Sequence, residues 1–155
     1  MRLNGIHHLT NLTADLDRLI GFYERVFDAR VTLDMEEEGL RHAFIELGPN
    51  TVLHPFEVPG VEVPHGDVPM FARGRLDHFG LNADSEEAFW NLRDRVIEEG
   101  AGVEDGLVTD MRAILSFTFE DPDGARHEVV WMRPGVPADE MLARPQWTTL
   151  TERPA

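Results

Sequence analysis

Cysteine is absent from the 155 residues. Disulfides and thiolate metal ligands are therefore excluded, and any metal must be held by nitrogen and oxygen donors. The absence of disulfides fits a reducing compartment. Basic residues are scarce: 14 Lys and Arg stand against 29 Asp and Glu, for a formal net charge of −15. A surface of that sign repels phosphate backbones and argues against nucleic-acid or anionic-membrane partners. It attracts cations, though only weakly at cellular salt. No apolar run approaches the roughly 20 residues that a membrane helix needs. The first residues, Met-Arg-Leu-Asn-Gly-Ile-His-His, lack the apolar stretch of a signal peptide. The expectation is a cytoplasmic protein. Tyrosine occurs once, as Tyr23, in a pattern that makes it core.

What is present is a repeat. Residues 6–9 read Ile-His-His-Leu and residues 76–79 read Leu-Asp-His-Phe. A shift of 70 positions (78 minus 8) lays His8 on His78, Asp15 on Ser85, Leu19 on Phe89, Phe22 on Leu92 and Val26 on Val96. The last strand-like segment of each copy offers a further ligand type, His54 in the first and Glu128 in the second. Two half-size modules that each bring ligands imply one site assembled from both.

Each copy reads as β-α-β-β-β. In the first, residues 5–58, a strand over 6–12 precedes a helix capped by Thr13 or Asp15. Leu16, Leu19, Ile20, Tyr23, Val26 and Phe27 form its apolar face. Strands follow over 29–33, 40–47 and 51–58, with residues 35–39 as an acidic loop. Residues 59–74 form a proline-rich, stiff linker. In the second copy, residues 75–132, Asp84 or Ser85 caps a helix, and Asp84 with Glu87 has capping-box spacing. Ala88, Phe89, Leu92 and Val96 make its stripe, and Gly100 ends it. Strands are expected near 103–105, 113–120 and 126–132, with Asp121-Pro122-Asp123-Gly124 as a turn. The tail, 133–155, is proline-rich with one short helical segment over 138–142. Neither copy is large enough to hide its apolar faces alone, so the fold class is α+β with the two modules paired.

Ile6-His7-His8-Leu9, Leu16-Asp17-Arg18 and Phe22-Tyr23, with Leu76-Asp77-His78-Phe79 and Asp121-Pro122-Asp123-Gly124 followed by Glu128, resemble the vicinal oxygen chelate superfamily. Glyoxalase I, bleomycin-resistance proteins, fosfomycin-resistance enzymes and extradiol dioxygenases belong to it. The resemblance covers residues 5–132. It implies a curved, partly open sheet cup with helices outside, a metal in the concavity, a small-molecule substrate, and frequent homodimers. It places metal ligands at His8, His54, His78 and Glu128, with Glu128 and His54 as the catalytic candidates. Imidazole and carboxylate suit one divalent ion of Zn, Fe, Ni, Mn or Co. Glu57 is a second candidate on the segment of His54. His7, His42, His65 and His127 read as structural or exposed. His7 and His127 should point away from their ligand neighbours, because strand side chains alternate.

Three reactions fit that donor set. Glyoxalase-type isomerisation uses a metal to polarise a carbonyl and a carboxylate to move a proton. This chain departs from bacterial glyoxalase I at His54, where that family has Glu, and at Leu12, where it has an arginine that helps hold glutathione. Extradiol-type oxygenation uses two His and one carboxylate, and His8, His78 and Glu128 match that triad, with His54 as an acid/base. A metal-free, bleomycin-resistance-type binding protein is the alternative. Retention of all four donors argues against it, since a buried Glu128 without a cation is costly.

Overall fold

Asp15 starts the first helix. Its backbone is extended, and its carboxylate accepts the Arg18 N–H at 2.9 Å, satisfying a donor that the first turn leaves open. Thr13, the other expected cap, instead accepts the Asp15 N–H. Helix α1 (Leu16–Phe27) then buries Leu16, Leu19, Phe22, Tyr23 and Val26, the three- and four-residue spacing of one apolar face. It ends at Asp28 in the left-handed region, φ 53°. The computed structural model describes residues 6–60 and 76–154, and the chain divides into two units, Met1–Val68 and Pro69–Ala155. Most of the expected linker, and His65 with it, lies outside the described residues.

The sheet of the first unit holds β1 (His8–Leu9), β2 (Leu12–Thr13), β3 (Arg30–Glu37), β4 (Leu40–Gly48), β5 (Thr51–Leu53) and β6 (Phe56–Glu57). β4 is its centre: it pairs antiparallel with β3 on one side and with β5 and β6 on the other. α1 packs on β4, where Ala43 and Ile45 are fully buried. His42 and Phe44 alternate with them and so lie on the opposite face. β1 runs parallel to β5, and β2 parallel to β6. The first and last strands are thus each interrupted, side by side, at residues 10–11 and 54–55. Pro55 has no N–H to give to a ladder. The pairing continues across the break through His54 N–H to Leu9 O at 2.7 Å and Phe56 N–H to Asn11 O at 3.0 Å.

The acidic segment expected as a loop is mostly strand. β3 runs through Glu36 and Glu37, and only Glu38 and Gly39 turn, at φ 52° and 84°. Two residues of positive φ make a tight hairpin whose twist suits the flanking strands. The run of three glutamates hid this, because charge is read as loop while register is set by the partner strand.

In the second unit, Ser85 and not Asp84 caps the helix: its Oγ accepts the Ala88 N–H at 3.1 Å. Helix α2 (Glu86–Glu98) buries Phe89, Trp90, Arg93 and Val96, so Trp90 and Arg93 join a stripe in which Leu92 is only half-buried. The sheet order is β11 (Thr148–Leu150), β8 (Val108–Asp110), β9 (Ile114–Glu120), β10 (Arg126–Met132), β7 (Gly80–Asn82). Residues 103–105, expected as strand, form a 3-10 turn over Val103–Gly106 with Glu104 and Asp105 at positive φ. The strand begins later, at Val108. The tail also departs from expectation. Its helical segment is a short 3-10 turn, Ala138–Glu140, and Thr148–Leu150 adds an antiparallel strand to β8. Arg93 reinforces that docking from within the core, donating to Gly106 O and Thr151 O, each at 2.7 Å.

Both units are therefore mixed α+β, each with one α-helix and one sheet among the described residues.

Candidate metal centre

The break in the first unit's strands puts His54 at the sheet face opposite α1. Its ring lies 4.5 Å from Phe44, 4.4 Å from Phe56 and 5.4 Å from His8. Two imidazoles on one zinc ion, with bonds of about 2.0–2.1 Å, hold their ring centres about 5 Å apart. The first unit thus brings His8 and His54 to a spacing that suits a shared ion. Burial lowers the His54 pKa below its ordinary 6.5, and the neighbouring His42 and His8 push it the same way. His54 is held neutral, the form that can ligate a metal or accept a proton.

The hydrogen bonds of the three histidines differ in the ring atom they engage. His8 Nδ1 lies 2.9 Å from His7 Nδ1. His78, just before β7, places its own Nδ1 2.9 Å from Asp77 Oδ2. In both, Nε2 is left for another partner. A carboxylate on the far nitrogen of a metal-binding histidine fixes its tautomer and raises its basicity. His54 is the reverse: its Nε2 is engaged, 3.0 Å from His42 Nδ1.

Glu128 stands on β10, half-buried, with its backbone N–H bonded to Phe79 O at 2.9 Å. Among the described residues, its carboxylate takes no hydrogen-bond or ion-pair partner. The strand registers relate it to His54. Gly80, two residues past His78, pairs with Glu128. In the first unit, His8 pairs with Val52 and Leu9 with Leu53, so Thr10, two residues past His8, falls beside His54. Among the described residues, no three His, Asp or Glu side chains gather as one group able to hold a metal. The histidines and Glu128 are nonetheless donors of the kind a divalent ion takes, with Nε2 available on two of them.

The remaining candidates sort by their contacts. Glu57 caps α1, its Oε2 accepting the Leu16 N–H at 2.8 Å. His127 turns into the core of its unit, stacked on Phe79 with ring centres 3.8 Å apart. His7 does not point away from its neighbour as alternation implies. It precedes β1, where no ladder enforces alternation, and its ring touches that of His8. His42, read from sequence as structural or exposed, is the direct partner of His54. Asp77 was also passed over. The hairpin register carried the signal for His42: Ile45 pairs with Leu53 and His42 with Phe56, so His54 is diagonal to His42 on one face.

Comparison with known proteins agrees with this architecture. A putative ring-cleaving dioxygenase, MhqA of Bacillus subtilis, is 29% identical over 133 residues, covering 81% of this chain and 40% of that protein. The chain thus spans about two-fifths of that relative's length. The metallothiol transferase FosB of Lysinibacillus sphaericus is 27% identical over 128 residues, 83% of this chain and 82% of its own. Among solved structures, a glyoxylase/bleomycin resistance protein/dioxygenase domain from Frankia sp. EAN1pec superposes with TM-score 0.70 at 22% identity, over 86% of this chain and 96% of that one. Lactoylglutathione lyase from Agrobacterium tumefaciens gives 0.59 at 20%, over 84% and 96%. The family profile matches residues 5–129, a span that takes in the first repeat, most of the second and all four candidate donors, and the chain belongs to the Glyoxalase/Bleomycin resistance protein/Dioxygenase superfamily.

Proposed function

We propose that the chain is a divalent-metal-dependent enzyme acting on a small oxygen-bearing molecule, with His8, His78 and Glu128 as metal ligands and His54 as a non-ligating acid/base. The observation that carries this reading is the difference in ring atoms. His8 and His78 keep the outer Nε2 available and have Nδ1 engaged, whereas His54 has Nε2 tied to His42 and leaves only Nδ1, the nitrogen nearer its backbone, open. Two His and one carboxylate leave coordination positions open for substrate, as in ring-cleaving oxygenases. A bound divalent ion supplies a Lewis acid for substrate oxygens and, as ferrous iron, electrons for dioxygen. His54, kept neutral, takes a proton from a substrate hydroxyl through Nδ1. Phe44 and Phe56 hold its ring in place and limit water around it. The likeness to a putative ring-cleaving dioxygenase supports the same class.

A second reading makes His54 a fourth ligand and the reaction glyoxalase-type isomerisation, with Glu128 moving the proton. The matched strand registers of His54 and Glu128 favour it. Metal content separates the two. Purified without chelators or nickel resin, the protein is expected to carry about one divalent ion per chain, and Glu128→Ala to lose it. His54→Ala keeps the ion and slows turnover by about a hundredfold or more under the acid/base reading, and loses the ion under the four-ligand reading. Catechol-dependent oxygen uptake with ferrous iron identifies the oxygenase. A wild-type protein that binds no divalent ion overturns both and leaves a metal-free binding protein. We further propose that the chain works as a homodimer, as many members of its superfamily do.

A further inference from the structure

Resting on the acid/base reading of His54, we propose that His42 is a positioning residue for that reaction: its Nδ1 accepts the Nε2–H of His54 and so fixes His54 with an unprotonated Nδ1. Five observations carry this. The two nitrogens are 3.0 Å apart, hydrogen-bond distance, and one of them must carry the proton for the contact to be attractive. His42 is itself held, stacked on Phe56 at 5.0 Å between ring centres with 14° between planes. Its backbone lies in β4, the central strand of the first unit, between Arg41 and Ala43, which both take part in main-chain pairing. The rings of Phe44 on β4 and Phe56 on β6 both pack against His54. His54 sits where its own strand is interrupted by Pro55, so its ring takes its orientation from these neighbours.

The polarity follows from chemistry. A neutral imidazole has one N–H and one lone pair. If His42 donated to Nε2 of His54, the only lone pair of His54 would be occupied and its Nδ1 would carry the proton. Nothing would remain to accept a proton from substrate. With His54 donating, its Nδ1 is the base and His42 Nδ1 plays the part that a carboxylate plays for the histidine of a hydrolytic triad. His42 then carries its own proton on Nε2. No proton leaves the pair in this arrangement; His42 orients, and His54 reacts.

The test compares His42→Phe, which keeps the ring stack and removes the acceptor, with His42→Asn, whose Oδ1 can replace Nδ1. In the metal-free protein with nitrogen-15 labelled histidine, the Nε2–H of His54 is assigned by its loss in His54→Ala. It is expected to appear as an exchange-protected proton in the native protein and in His42→Asn, and to vanish into solvent exchange in His42→Phe. In the metal-loaded protein, His42→Phe is expected to keep its metal and lose about tenfold or more in kcat with KM little changed, and His42→Asn to recover most of it. An unprotected Nε2–H in the native protein, or equal impairment of the two variants, overturns the proposal. Loss of metal in His54→Ala overturns the acid/base reading instead, and the metal-free spectra still report on the hydrogen bond by themselves.

Discussion

A histidine next to a carboxylate is ordinary; a histidine whose far nitrogen is held by one, with the near nitrogen open, is equipped to bind a metal. Asp77 does this for His78 at 2.9 Å. Both side chains are partly shielded, 20% and 32% exposed, so the contact keeps some of its strength against solvent. Asp77→Ala is expected to weaken metal affinity by about tenfold or more while leaving the fold intact, measured by competition with a chromophoric chelator. Unchanged affinity would remove Asp77 from the site. As candidate donors, His8 and His78 were legible in the sequence because the repeat aligns them, and His54 and Glu128 because each falls in the last strand-like segment of its copy. His42 and Asp77 were not, because their role depends on which ring nitrogen they meet, and that is set by register and rotamer. Sequence alternation also misplaced His7, since the residue before a strand is not bound by the strand's period.

At the scale of elements, both α-helices and the long strands β4, β9 and β10 were readable from apolar periodicity and turn residues. The departures share a cause. Val103 to Asp105 has the look of a short strand, but Gly106 at φ 66° ends a turn there, and a side chain at 106 would meet Ile97 at 2.8 Å. Thr148–Leu150 gained strand structure from its partner β8, a tertiary effect that local propensity does not contain. That tail is fastened near Arg133, which grips Asp110 at the end of β8 through two bonds of 2.8 and 2.9 Å. The guanidinium holds the Asp110 carboxyl below its ordinary 3.8. A lowered carboxylate pKa gives stability that is full above 3.8 and is lost as pH falls through the lowered value. Arg133→Gln is therefore expected to cost about 1 kcal/mol near neutral pH, since the pair is only partly buried. The difference in melting temperature from the native protein should shrink as pH drops below that range, leaving only the share of the bond from Arg133 to Arg112 O. A penalty undiminished in strong acid would show that the ion pair with Asp110 contributes nothing.

For the molecule as a whole, the homodimer proposal is checked by size-exclusion with light scattering at micromolar concentration, where twice the chain's 17.6 kDa is expected. A monomer across that range would refute it. Among the described residues, no helix is long and apolar enough to cross a membrane. The hairpin of β3 and β4 has a consequence of another kind. β3 is eight residues long, and among the described residues it is paired on one side only. Such a border invites a second chain to add its own strand and begin a fibril. Glu36 and Glu37 stand exposed along it, so any two copies approaching border to border bring like charges together. The glutamates that disguised this strand as a loop are what keep its border from becoming a template. That protection rests on their charge, so Glu36→Gln with Glu37→Gln should turn the same hairpin from a guarded margin into a nucleus for aggregation.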